Sequence, residues 1–165
     1  MKAVTVKELN HALNNRSPKE LRDLCLRLSR FKKENKELLT YLLFESADEG
    51  SYIGSVKMEI DEQFELINKK SHYYIKKSLR KILLSTRKYI RYSQNKKTEI
   101  DLLIYYCRKL KKFTPSIQRN TGLLKLYNGQ VDAIIKKVAS LHEDLRYDYI
   151  QELKELILTS EGFRT

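Results

Sequence analysis

Three spacings in the sequence invite a chemical reading. Glu8 and His11 stand three apart, the interval that sets two metal ligands on one face of a helix. A di-iron bundle needs a second such pair and two further glutamates, yet Lys69 precedes His72 and Ala139 precedes His142 at that interval. His142-Glu143 begins like the helix of a zinc protease, but Arg146 stands where the second histidine belongs. Glu59, Asp61, Glu62 and Glu65 gather carboxylates over a short stretch; on a helix they fan out opposite the apolar positions, as a solvated face does. Cys25 and Cys107 lie inside apolar helical patterns, not at helix starts where a thiol pKa falls, so both are expected as buried, reduced thiols. There is no Gly-x-Ser-x-Gly elbow and no glycine-rich phosphate loop. These residues argue against an enzyme, and no metal or cofactor is expected.

Charge is the stronger signal. The chain has 33 Lys and Arg against 21 Asp and Glu, a formal net charge of +12. Residues 69–97 hold eleven of the basic residues and no acidic one, directly after an acidic stretch, 45–68, with seven acidic residues and one basic. Wound as a helix at about 100° per residue, the basic stretch separates into two arcs. Ile75, Leu79, Ile82, Leu83, Thr86, Tyr89 and Ile90 share one; Lys76, Lys77, Arg80, Lys81, Arg87, Lys88 and Arg91 share the other. Leu84, Tyr73, Tyr74 and Tyr92 depart from the segregation. The acidic stretch has too few charges to neutralise its neighbour, and only flanking positions such as Glu59 and Asp61 can reach across. A positive ridge is therefore expected, able to meet phosphates, with Tyr73, Tyr74 and Tyr92 placed to stack on bases or sugars. No helix-turn-helix, zinc finger or RNA-recognition motif accompanies it, so any nucleic-acid contact would be to backbone. A membrane-surface role is disfavoured, because the apolar arc is needed by the core and Trp is absent.

The elements that must position this ridge are all helices. Only five Gly and two Pro, 33% charged residues and no run of two-residue alternation indicate an all-α chain. "TVKE" and "SPKE" have the form of capping boxes, opening helices at 6–14 and 18–30. The second carries Leu21, Leu24, Cys25, Leu28 and Phe31 as its seam. Further helices are predicted over 33–46, over 51–68 with a seam of Ile53, Val56, Ile60, Phe64 and Ile67, over 72–93, and over 98–112 with Ile100, Leu103, Ile104, Cys107 and Leu110. Pro115 is read as a helix start, Gly129 as the cap ending a short seventh helix, and 130–142 and 145–158 as the last pair. Tyr41, Tyr105, Tyr106, Tyr147 and Tyr149 fall in patterns where packing in or at the edge of the core is the default.

The expectation is one domain, residues 1–165, of eight or nine short antiparallel helices, with "ADEGSYIG" marking a subdivision near 47–51. An irregular bundle and a short stack of helical hairpins both fit, and no repeat at 33–47 residues distinguishes them. With no apolar run resembling a signal peptide or membrane span, a cytoplasmic location is expected. The first functional expectation is a non-enzymatic helical interaction or scaffold protein with a protein partner or self-association. The second is binding of nucleic acid or another polyanion, without sequence preference, through 72–93.

Overall fold

Both capping boxes form. Thr5 accepts from the Glu8 amide at 3.3 Å while the Glu8 carboxylate accepts from the Thr5 amide at 2.8 Å, and Ser17 and Glu20 do the same at 3.3 and 2.8 Å. They open α1 (Val6–Asn14) and α2 (Pro18–Phe31), the first of eight α-helices among the described residues. The computed structural model describes residues 2–161, with the side chains of residues 119 and 158–161 excepted. The other helices are α3 (Lys33–Thr40), α4 (Glu49–Glu65), α5 (His72–Ser93), α6 (Lys96–Lys111), α7 (Thr121–Ala139) and α8 (Glu143–Glu161). A π-helical turn, Tyr41–Glu45, follows α3, and a 3₁₀ turn, Ile117–Arg119, precedes α7. Every element among the described residues is helical. By their contacts, residues up to Glu45 form one unit and residues from Ser46 onward another.

The larger unit is organised around α6. Ile100, Leu102, Tyr106, Cys107 and Leu110 on this helix have no exposed surface, and Leu103 and Ile104 have almost none. These residues span rather more than half the circumference of the helix, the wide apolar surface of an element packed on several neighbours. α4, α5, α7 and α8 all pack on α6. Glu49 meets Thr98 near the start of α6 and Asp61 meets Tyr105 and Lys109 farther along, while Tyr149 meets Asp101 and Arg108 pairs with Glu152, so α4 and α8 run in the same sense as α6. Tyr106 donates to the Leu79 carbonyl, and Lys137 pairs with Glu99 near the start of α6, which sets α5 and α7 antiparallel to it. Two layers result: α4, α6 and α8 in one, α5 and α7 in the other. This is a short stack of helical hairpins.

Tyrosine hydroxyls fasten the helices to one another. Tyr52 donates to the Tyr89 carbonyl at 2.9 Å, Tyr89 to Glu59 at 2.7 Å, Tyr105 to Asp61 at 2.7 Å, Tyr127 to the Leu156 carbonyl at 3.3 Å and Tyr149 to Asp101 at 2.7 Å. Each bond lets a ring enter the apolar interior with its one polar atom satisfied. Asp61 is held below the usual carboxylate range: burial acts against this, but the Tyr105 hydroxyl and the Lys109 ammonium outweigh it. The same contacts work the other way on the phenols. Burial, then Asp61, pushes Tyr105 up to about 12, and burial pushes Tyr127 up to about 12. Burial also drives Tyr106 upward, and burial together with Asp101 drives Tyr149 upward.

Several boundaries and faces differ from expectation. Residues 121–139 form one helix, not two. Gly129 has no positive φ and lies mid-helix, because Leu123, Tyr127, Val131, Ile134 and Val138 carry one buried stripe straight through it. Pro115 starts no helix; it lies in the irregular link before the 3₁₀ turn. α4 begins earlier than expected because Asp48 caps it, accepting from the Ser51 amide at 3.0 Å. On its seam Tyr52 is buried in place of Ile53. The first unit departs most: Leu24, Leu28 and Phe31, expected in a core, are exposed, and so is Cys25. Tyr147 is exposed as well, whereas Tyr41, Tyr106 and Tyr149 are buried as their patterns imply.

Two outcomes follow from this core. Ile104→Ala, which hollows out the centre of α6, should lower unfolding free energy in urea by about 2–5 kcal/mol. Leu84→Ala, at a site that is 68% exposed, should change it by less than about 0.5 kcal/mol. For phenols whose folded pKa lies above the unfolded value of about 10, the associated stability is complete below pH 10. It is lost as pH rises through the folded values. The helical circular dichroism signal should therefore collapse between about pH 10 and 12, and Tyr105→Phe should shift that collapse to higher pH.

Candidate functional site

The basic ridge exists and lies along the outside of α5. The inner arc is buried as its period requires: Ile75, Leu79, Ile82, Leu83, Thr86 and Ile90 face the core, and Tyr89 is half-buried. Ser71 caps the helix start, and Gln94 closes its end in the left-handed conformation, φ 54°. The 22 residues between make a rod of about 33 Å. Lys77, Arg80, Lys81, Arg87 and Arg91 are exposed along it, and Lys76 and Lys88 are half-buried at its edges.

Each edge residue has a local reason for its position. The Lys76 ammonium reaches over the first turn of α7, so close that a β-carbon added to Gly122 would sit 2.7 Å from it. Lys88 extends over the Tyr89 ring at 4.6 Å. Arg87 donates to the side-chain amide oxygen Oε1 of Gln130 on α7 at 2.9 Å, a neutral partner that orients the guanidinium and leaves its charge intact. Neither Gly122 nor Gln130 was singled out from the sequence. Both act on α5 from more than forty positions away, and no local pattern marks them.

The acidic helix does not cancel the ridge. Glu49 accepts from Ser93 at 3.0 Å and from the Thr98 hydroxyl, Glu59 from Tyr89, and Asp61 from Tyr105 with an ion pair to Lys109 at 2.9 Å. Glu62 and Glu65 are exposed. Among the described residues, no carboxylate pairs with Lys76, Lys77, Arg80, Lys81, Arg87 or Arg91. Glu49, Glu59 and Asp61 are spent on hydroxyls and on α6.

The aromatic part of the site is smaller than expected. Tyr73 and Tyr74 are exposed at the start of α5, edge to face with centroids 5.5 Å apart. Tyr92 is buried against Tyr89, their centroids 6.0 Å apart, and is unavailable for stacking on a ligand. Leu84 instead emerges in the middle of the ridge, 68% exposed.

Other candidate chemistry dissolves on inspection. The Glu8 carboxylate is occupied by the Thr5 cap, which with its hydroxyl and amide holds it below the usual carboxylate range. His11, His72 and His142 are exposed and far apart in the chain, and among the described residues no group of three or more His, Cys, Asp or Glu could hold a metal ion. Burial pushes the Cys107 thiol up to about 12, the reverse of an activated nucleophile. Among the described residues no helix is long and apolar enough to cross a membrane. No family model, curated protein or solved structure matches the chain.

Proposed function

We propose that this chain is a non-enzymatic helical binding protein that holds the backbone of a polyanion, nucleic acid being the natural example, along the outer face of α5. One observation carries the reading. Six basic side chains on one face of a rigid helix, Lys76, Lys77, Arg80, Lys81, Arg87 and Arg91, lack any carboxylate partner among the described residues. A phosphate chain laid along them releases its condensed counterions, and that release supplies affinity with no base being read. The α4–α6 core keeps the helix straight, so the charges are arrayed before the ligand arrives and little ordering entropy is lost on binding. Tyr73 and Tyr74 add exposed aromatic faces at one end of the ridge. Free thiols at Cys25 and Cys107 fit a reducing, cytoplasmic setting.

The test is fluorescence anisotropy with a labelled 20-nucleotide single strand and a duplex of mixed sequence. The wild-type chain should bind both with little sequence preference. Arg80→Glu, Arg87→Glu and Arg91→Glu together should weaken binding at least a hundredfold with unchanged helicity. Reversing Lys19, Arg27 and Lys36 in the other unit, the same change in net charge, should cost far less. Equal losses from the two triple variants would mean that net charge, not the α5 ridge, attracts the ligand.

A further inference from the structure

The unit before Ser46 presents the opposite chemistry from the ridge. Tyr41 is its only buried residue among those described, while Leu28 is 59% and Phe31 77% exposed on one side of α2. Helices of 9, 14 and 8 residues are at or below the length of about 12–15 at which an isolated helix becomes stable in water, so α1, α2 and α3 require an apolar surface to pack on. α2 and α3 pack side by side, the Asn35 amide donating to the Leu28 carbonyl at 2.9 Å. Between them runs an open groove of 270 Å³ lined by Cys25, Leu28, Ser29, Leu38, Leu39 and Leu42.

Charge identifies what fits there. On the same two helices and the link between them, Lys19, Arg27, Arg30, Lys32 and Lys36 are exposed and have no partner among the described residues. Three of the four carboxylates on α2 and α3 are engaged nearby, Glu20 in its cap and with Arg16 at 3.2 Å, Asp23 beside Arg22, and Glu37 with Lys33 at 3.5 Å, while Glu34 is exposed. A second copy of the chain brings the same basic surface and a net charge of +12, which opposes self-association through this face. We infer that the α2–α3 groove docks an amphipathic helix of a partner protein, its leucine-type stripe in the groove and acidic residues along its flanks. A partner segment of about four turns matches the 14-residue length of α2.

The probe is an 18-residue peptide with Leu at i, i+3, i+4 and i+7 and Glu at the flanking positions, compared with a Lys-flanked version and a scrambled Leu/Glu version. All are titrated against the full chain carrying the Arg80→Glu, Arg87→Glu and Arg91→Glu changes, so that the α5 ridge cannot capture acidic peptide. The amphipathic Glu peptide should bind at least tenfold more tightly than either comparison, and Leu28→Asp or Leu39→Asp should remove that advantage. A second readout needs no groove variant. Cys25 is exposed in the groove and Cys107 is fully buried, so alkylation by iodoacetamide reports Cys25 alone, and the Glu peptide should slow it at least fivefold in the wild-type chain. Equal binding of the Glu and scrambled peptides, or Cys25 alkylation that the peptide leaves unchanged, overturns the inference. So does a chain dimer that Leu28→Asp dissociates, which would assign the groove to a second copy.

Discussion

Enclosure of α6 is the constraint on which the rest depends. Its buried residues cover more than half of its circumference, and α4, α5, α7 and α8 share in covering them. Burial outweighs the polar contacts at its rim. Pairs such as Arg108 with Glu152, both about 40% exposed, contribute on the order of 0–1 kcal/mol, whereas each fully buried aliphatic side chain contributes about 1.5–3 kcal/mol. The ion pairs and tyrosine hydroxyls act mainly as register marks. They determine which carboxylate lies opposite which donor, and so fix how far each helix slides along α6.

That division of labour produces the functional surface. Were the α4 carboxylates turned toward the Lys and Arg of α5, they would offset part of the ridge's charge. Instead Glu49, Glu59 and Asp61 accept from Thr98, Tyr89 and Tyr105, hydroxyls that would otherwise carry unsatisfied polar atoms into the interior. Satisfying the core's polar atoms therefore takes precedence over neutralising the surface, and the positive ridge is what remains. α7 adds to this from the second layer: Gln130 steers Arg87 with a neutral bond, and Gly122 leaves room for Lys76.

Period and composition made the all-helical class, both capping boxes and the two arcs of α5 readable in advance, because each depends on neighbours within a turn or two. The misreadings share one cause. Gly129 resembles a cap by residue type, but a stripe continuing on both sides holds it inside a helix. Tyr52 displaces Ile53 from the seam because its hydroxyl finds the Tyr89 carbonyl 37 residues away. Tyr92, a candidate for stacking, turns inward against Tyr89. In α2 the stripe is real, but Leu24, Leu28 and Phe31 on it are exposed. Amphipathicity says that a face needs covering and is silent on whether the same chain covers it. Cys25 went with that stripe and is exposed for the same reason.

The most direct measurement of the central claim is the salt dependence of polyanion affinity in the wild-type chain, read as the slope of log K against log salt concentration between 50 and 200 mM. A ridge engaging about five to six phosphates predicts a slope of about −4.5 to −5.4 for a duplex, with a shallower one for a single strand. A slope between 0 and −1 would mean that the charges along α5 face solvent and hold nothing.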